Sequence, residues 1–399
     1  MKYQTINNKT AEVTFRQKIS KQQLDKALYY KNEKTFQDIF EDLRRRTKKT
    51  FQDFKNLKKK GVDFSNYLEI GAENCERAMV LDSKFKAKGV ASDISLASLK
   101  AGAGFTKPLG FHKTPKRLVC DAYNLPFSAN SLPFVFCYQT LHHFPDPKPV
   151  IDEIYRVLAP GGYFFFDEEP VKQILNIPLW RRPTCLRPWE KILKYIGILP
   201  FISRIGKTEV DHGILEEVFT LKTWQKALSI FEKTEVTIKP FPLGPESTVS
   251  KSGKENWLKP KLSTFLLVAW WGGGIRALCQ KKESGIKSHF TNSQELYTCP
   301  TCQIDKKNRF PRPEGRGSLF LAQNSLLGPQ SEGREPHGTV YLRPEEQSFF
   351  AQNKNVPYLK KSTNKKNYLC ALCKTKYPIR SGIPIILIPK EMSILYSTN

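Results

Sequence analysis

From Tyr67 onward the chain alternates short apolar runs with helix-like stretches, and this alternation constrains the fold more than any other feature. The runs are Tyr67–Ile70, Gly89–Ser92, Arg117–Cys120, Phe134–Tyr138 and Tyr163–Phe166. Such a pattern predicts an α/β fold, a parallel sheet with helices on both faces. Ahead of it, residues 14–60 space Leu28, Phe36, Phe40, Leu43, Phe51, Phe54 and Leu57 at helical periods, which predicts a helical extension over residues 1–64. Beyond the fifth run, residues 171–206 are broken by prolines and carry Trp180, Arg181, Arg182, Arg187, Trp189 and Ile192, and are expected to form a cap over one end of the sheet. A helix is expected over Leu221–Phe231. Glu235–Ile238, Phe265–Trp271 and Ile275–Cys279 are the candidates for the last strands, with a loop at 240–260. The main domain is thus read as 65–281, followed by a polar linker at 282–290 and a C-terminal region at 291–399. Within that region, residues 305–366 lack periodicity and read as a disordered insertion.

Charge separates these parts. The 399 residues hold 64 Lys and Arg against 38 Asp and Glu, a formal net charge of +26. Residues 1–60 contribute +10, residues 61–280 only +6, and residues 281–399 another +10. The basic surplus at the ends favours polyanions such as RNA, DNA or anionic lipid, or else serves solubility alone. An apolar content of 40 % excludes a wholly disordered chain. No apolar leader follows Met1, and the longest apolar run falls far short of the roughly 18 to 20 residues that span a bilayer. A cytoplasmic protein is expected, and the scattered cysteines agree with a reducing compartment.

Four short segments carry the chemistry. In Tyr67-Leu68-Glu69-Ile70-Gly71-Ala72-Glu73-Asn74-Cys75 a strand enters a turn whose glycine permits close backbone approach to a nucleotide-like ligand. Asp93, 22 residues after Gly71, ends the second run, where a carboxylate accepts ribose hydroxyls or caps the following helix. Asp121 ends the third run, and Gln139-Thr140-Leu141-His142-His143-Phe144 follows the fourth.

In this order the motifs resemble those of class I S-adenosylmethionine (SAM)-dependent methyltransferases, most closely the quinone-biosynthesis branch. The resemblance covers roughly Ser65 to Phe166 and implies a Rossmann-like sheet. It further implies that Glu69, Gly71 and Ala72 line the methionine end and that Asp93 holds the ribose with Ile94 on the adenine. Asp121 and Ala122 would sit by the adenine amino group, and Gln139 and Thr140 beside the methionine moiety. Two departures stand out. Glu73 and Cys75 replace family glycines, and Leu132-Pro133 stands where Phe-Asp usually opens the fourth strand. A sulfonium methyl is already activated, so such an enzyme mainly aligns its acceptor, and a base is needed only if that acceptor must lose a proton. His142, His143 and Glu168 are the candidates for that role, with Glu169 beside them; substrate binding or loop orientation is the alternative for each.

Cys299-Pro300-Thr301-Cys302 and Cys370-Ala371-Leu372-Cys373 each present two thiolates across a tight turn, together a tetrahedral set for structural Zn2+. Their separation of 68 positions, Cys302 to Cys370, is tolerable because loop closure costs only logarithmically in length; a redox dithiol is the other reading. The stretch Tyr377–Leu387 resembles the zinc-ribbon activators that partner methyltransferases acting on tRNA, rRNA and release factors. That resemblance implies strand addition to the catalytic domain, here within one chain. Three functions follow: methylation of a small apolar or glycosylated metabolite on oxygen or carbon, RNA modification through the basic ends and the ribbon, or a non-catalytic scaffold.

Overall fold

The computed structural model describes residues 2–22, 36–172, 179–181, 187–205, 207–241, 244–252, 256–283, 297–303 and 358–396. Leu28, Arg182, most of the 282–290 linker and most of the 305–366 insertion lie outside the described residues.

Five parallel strands form the centre: β1 (Asn66–Ile70), β2 (Lys88–Asp93), β3 (Lys116–Cys120), β4 (Leu132–Tyr138) and β5 (Leu158–Val171). They lie in the order β3-β2-β1-β4-β5, so the winding reverses between β1 and β4. Beyond the fifth strand, β6 (Leu179–Arg181) and β7 (Ser203–Ile205) form a separate parallel pair in the cap segment. The main sheet continues through β10 (Gly273–Gln280), which is antiparallel to both β5 and β8 (Lys233–Pro240), to β9 (Ser247–Ser250) at its edge. Alternate residues of the central strands feed two cores. Leu68, Ile70, Val135 and Cys137 face one layer, whereas Tyr67, Phe134, Phe136 and Tyr138 face the other, the period-2 pattern of a strand covered on both faces.

The opposite edge is extended by the C-terminal region. Strands β11 (Leu359–Lys361), β12 (Asn367–Cys370), β13 (Lys376–Arg380) and β14 (Ile383–Ile386) run as an antiparallel meander, and β14 then pairs in parallel with β3 through Ile385–Val119 and Ile386–Cys120. Tyr297, Cys299, Tyr377 and Ile386 join one core and Ile383, Ile385, Leu387 and Leu395 the other. The region therefore shares the hydrophobic layers of the main sheet.

Helices fill both layers. α2 (Phe36–Lys59) buries Leu43, Thr50, Phe54 and Leu57 on one stripe, and Phe54 meets the rings of Phe134 and Phe136 at centroid distances of 6.1 and 5.2 Å. α3 (Glu76–Lys84) and α4 (Leu96–Phe105) follow β1 and β2, while α5 (Lys148–Val157) and α9 (Leu221–Leu228) pack on the other face. Gly102 of α4 admits no side chain: a Cβ there would stand 2.4 Å from the Asn74 carbonyl oxygen, so α4 rests directly on the turn after β1. α1 (Ile6–Gln22) opens on a reciprocal cap, Thr5 N–H to Asn8 Oδ1 at 3.1 Å and Asn8 N–H to Thr5 Oγ1 at 3.3 Å. It packs on α4 and on the C-terminal helix α11 (Pro389–Tyr396). Between β6 and β8 the chain also forms α6 (Pro188–Tyr195), α7 (Leu199–Ile202) and α8 (Lys207–Asp211).

Two expectations are corrected. Phe265–Trp271 is not a strand but part of helix α10 (Leu262–Trp271), which buries Thr264, Val268 and Ala269 at helical spacing and ends at Gly272, φ +83°. A continuous apolar run has no period to separate strand from helix; its length and the following glycine decide. The stretch read as a loop at 240–260 also contains β9, whose Thr248 hydroxyl lies 3.0 Å from that of Thr237 across the pair.

Candidate functional site

Open α/β sheets receive ligands outside the carboxyl ends of their strands where the winding reverses, which here is the crevice beyond β1 and β4. Gly71, directly after β1, has φ +67°, and a Cβ would collide with Thr140 Oγ1 at 2.4 Å. Only glycine allows the β1 and β4 loops this approach. Glu73 and Cys75, at the positions where family glycines are replaced, have φ +43° and +62°. They keep a left-handed backbone at a cost of roughly 1–2 kcal/mol per residue from Cβ crowding. Contacts hold them there: Cys75 N–H bonds the Ala72 carbonyl at 2.6 Å, and the Glu73 carboxylate meets Arg16 at 3.1 Å and Arg46 at 3.4 Å.

Asp93 ties this loop to the next strand. Its Oδ2 accepts from Glu73 N–H at 3.0 Å and its Oδ1 from Ser95 N–H at 2.8 Å. Burial pushes its carboxyl up to about 6 against those two donors. The cap of α4 is Ser95, whose hydroxyl accepts from Ser98 N–H at 3.3 Å. Ile94 follows, and its carbonyl accepts from the Tyr396 hydroxyl of α11. Asp121, after β3, accepts from Tyr123 N–H at 3.0 Å with Oδ1, while Oδ2 takes the Lys9 ammonium at 2.8 Å; Ala122 is buried beside it. Glu69 sits deeper, buried with Oε2 on Ala78 N–H at 3.1 Å, and burial raises its carboxyl well above the usual range. Glu69 thus anchors the start of α3.

Two terminal helices reach this rim. Lys9 of α1 bridges Asp121 and Glu391 of α11, and Gln4 donates from Nε2 to the His143 carbonyl at 2.7 Å. Arg16 joins Glu12 at 2.7 Å to Glu73. None of Lys9, Glu12, Arg16, Glu391 or Tyr396 stands out in the sequence, because the partners that tertiary packing brings to Lys9, Arg16 and Tyr396 lie 57 to 382 positions away.

On the other side of the crevice, the three residues proposed for proton transfer divide. Glu168 is held by Gln139 Nε2 at 3.0 Å, with Lys49 at 3.4 Å and Arg77 at 3.7 Å. Its neighbour Glu169 is the carboxylate on His142. Fully buried, Glu169 accepts from the backbone N–H groups of Thr140 at 2.7 Å, Leu141 at 2.9 Å and His142 at 3.1 Å, and from His142 Nδ1 at 2.9 Å. These partners overcome burial, holding the Glu169 carboxyl below its usual value and His142 above its own. Nδ1 is committed to Glu169, which leaves Nε2 facing Glu216 at 3.7 Å. His143 bonds the Leu215 carbonyl from Nδ1 at 3.0 Å, and burial beside His142 lowers it to about 4. Burial raises Glu216 to about 7. Ligand atoms of His142, His143 and Glu216 lie within 4.8 Å of one another, and the Glu12 carboxylate and Arg16 guanidinium act on both His143 and Glu216 in opposite senses.

The four C-terminal cysteines converge. Cys299 Sγ is 3.5 Å from Cys373 Sγ and Cys302 Sγ 3.8 Å from Cys370 Sγ. A tetrahedron of Zn–S bonds near 2.3 Å places its sulfurs roughly 3.8 Å apart, so the set fits zinc. Tyr377 hydroxyl lies 3.0 Å from Cys299 Sγ, the kind of outer hydrogen bond that steadies a metal-bound thiolate. Cys75, Cys120, Cys137 and Cys279 are buried thiols away from this cluster.

Residues 68–166 match the family model described as a methyltransferase domain. The ubiquinone/menaquinone biosynthesis C-methyltransferase of Rickettsia typhi is 30 % identical over 105 residues, 25 % of this chain and 42 % of that protein. A probable phthiotriol/phenolphthiotriol dimycocerosates methyltransferase of Mycobacterium ulcerans is 32 % identical over 95 residues, 24 % and 32 % of the two chains. The chain therefore spans less than half the length of the curated relatives it matches. Among solved structures, a complex of the Haloferax volcanii Trm112 methyltransferase activator with a putative methyltransferase is 13 % identical, covering 55 % of this chain and 84 % of that one with a TM-score of 0.34. A putative methyltransferase from Bacillus halodurans is 18 % identical, covering 55 % and 94 % with a TM-score of 0.35. Residues 68–166, which form the β1–β5 half of the sheet and its crevice, are thus similar to a methyltransferase domain.

Proposed function

We propose that the chain is a SAM-dependent methyltransferase that modifies a small, apolar or glycosylated metabolite on oxygen or carbon, braced by a zinc ribbon built into the same polypeptide. The observation that carries this reading is the pair of acids, Asp93 and Asp121, at the carboxyl ends of adjacent strands beside the Gly71 turn, within the segment that matches the methyltransferase domain. That donor set suits the group: Asp93 would hold the ribose hydroxyls, Asp121 the adenine amino group in competition with Lys9, and the Gly71–Ala72 and Gln139–Thr140 loops the methionine end. When bound, SAM supplies a methyl group already activated on a sulfonium. His142, with Nδ1 fixed by Glu169, offers Nε2 toward Glu216 as a proton-accepting pair for an acceptor that must be deprotonated.

Relatives named for quinone and dimycocerosate methylation support an apolar acceptor. RNA modification is less well supported, because Lys9, Arg16, Arg46 and Lys49 of the basic N-terminal region are spent on Asp121, Glu73 and Asp167. A scaffold without cofactor is disfavoured too, since Glu73 and Cys75 keep a left-handed backbone. The deciding experiment is calorimetry with SAM followed by transfer of its labelled methyl group into an extract separated into small-molecule and RNA fractions. Binding with label in the small-molecule fraction is expected. No binding overturns the enzyme reading, and label confined to RNA overturns the acceptor class.

A further inference from the structure

Helix α10 carries no charged residue over its ten positions. Its inner residues Thr264, Val268 and Ala269 are buried, yet Leu262, Phe265, Leu266 and Trp270 on the outside are 71, 44, 46 and 55 % exposed. Phe241, 54 % exposed, continues the face, since its N–H bonds the Gly272 carbonyl at the end of the helix at 3.1 Å. A helix apolar on all sides is ordinarily enclosed by protein or lipid, and a contiguous exposed apolar patch marks an interaction surface.

Three observations choose the occupant. Lysines rim the patch: Lys259 and Lys261 are exposed just before the helix, and Lys239, paired with exposed Glu246 at 3.3 Å, lies beside Phe241. An aromatic and leucine face edged by lysine is the composition that settles at a lipid–water boundary, with alkyl stems along the apolar zone and ammonium groups at the headgroups. The chain's net charge of +26 adds long-range attraction to an anionic surface. Finally, the patch stands at the ligand edge of the sheet, because Gly273, following the helix, pairs with Val171 at the end of β5. The segment leaving β5 repeats the composition in α6, with Ile192 and Tyr195 64 and 93 % exposed beside exposed Lys191 and Lys194. Ten helical residues reach only about 15 Å, too little to span a bilayer, and among the described residues no helix is long and apolar enough to do so.

We propose that α10 docks the protein in the plane of an anionic lipid bilayer, with Leu262, Phe265, Leu266 and Trp270 entering the acyl boundary and the ligand edge of the sheet facing the membrane. The docking goes beyond the methyltransferase reading and stands whatever the methyl acceptor is. The test is flotation of the full-length protein with vesicles of phosphatidylcholine alone or with about 30 % phosphatidylglycerol, a surface that attracts basic segments. The protein is expected to float with the anionic vesicles, to float less as salt rises, and to shift its tryptophan emission to shorter wavelength. The double variant Phe265→Ser/Trp270→Ser should lose about tenfold or more of the partition, as should Leu262→Gln in part, with the melting temperature and SAM affinity unchanged. Failure of the wild-type protein to float with anionic vesicles overturns the proposal, as does flotation that both variants retain. A wild-type dimer made monomeric by the same substitutions, without vesicle binding, assigns the face to self-association and likewise overturns it.

Discussion

Lys9 and Asp121, 112 positions apart in the chain, meet at 2.8 Å with each side chain only 5 % exposed. The same ammonium reaches Glu391, so a single lysine joins the first helix, the third strand and the last helix. Removing one partner of a buried pair leaves the remaining charge without compensation. Lys9→Met is therefore expected to cost about 3 kcal/mol or more, read by urea denaturation. A loss below about 1 kcal/mol, the range of exposed pairs, would show that Asp121 and Glu391 do not depend on Lys9.

If Asp93 holds the ribose as proposed, cofactor binding depends on pH. Burial raises its carboxyl to about 6, and a protonated carboxyl would not accept from both ribose hydroxyls. SAM affinity is expected to be level above pH 7 and to fall below pH 6, approaching about tenfold per pH unit if ionisation is required. Asp93→Asn should weaken binding throughout and flatten the profile. A profile unaltered by that substitution would assign the titration elsewhere.

Glu169 and His142 both stabilise the fold, and their contributions are lost in opposite directions of pH. The Glu169 carboxyl is lowered in the fold, so its contribution is present above the ordinary glutamate value near 4.3 and is lost as pH falls through the lowered one. His142 is raised, so its contribution is complete below the ordinary histidine value near 6.5 and is lost as pH rises through the raised one. The pair thus stabilises most between these limits. Glu169→Gln should remove that maximum and cost about 2–3 kcal/mol at pH 5.5, since a neutral amide cannot serve four donors. A denaturation series across pH decides; equal losses at every pH would contradict the pairing.

The four-cysteine cluster predicts one zinc per chain by metal analysis, lost on Cys370→Ser. Because β14 leads from that cluster into register with β3, the consequence extends into the main sheet. Cys370→Ser is expected to cost at least about 3 kcal/mol of the whole domain's stability and to lower the protection of Val119 and Cys120 amides from hydrogen exchange. A metal-free protein of unchanged stability would remove zinc from the account.

The five parallel strands were legible because their apolar runs are short and bounded by polar turns, and the ends of Asn66–Ile70 and Leu132–Tyr138 differ from the sequence reading by one or two residues. Asp93 and Asp121 were legible for the same reason, since a residue at a strand end inherits its location from the strand. What stayed hidden depends on contacts that local pattern does not encode. Lys9 and Arg16 look like ordinary helix-surface charges until tertiary packing brings them onto Asp121 and Glu73. Glu168 and Glu169 are chemically identical neighbours, and only the local backbone, with Glu168 at φ +64°, decides that the second faces His142. α10 was misread because the seven apolar residues Phe265–Trp271 in a row fit a buried strand as well as a helix.

The junction of β14 with β3 also fixes an order of events during synthesis. β3 ends at Cys120, and the strand that covers its free edge begins at Ile383. At about 5–20 residues per second, a ribosome needs some tens of seconds to supply it. Throughout that interval β3 presents unpaired amide and carbonyl groups to any passing strand, the condition that invites misassembly. A nascent chain of this protein is thus expected to need a holding chaperone longest at β3, and a chain terminated before the second cysteine knuckle should accumulate in the insoluble fraction.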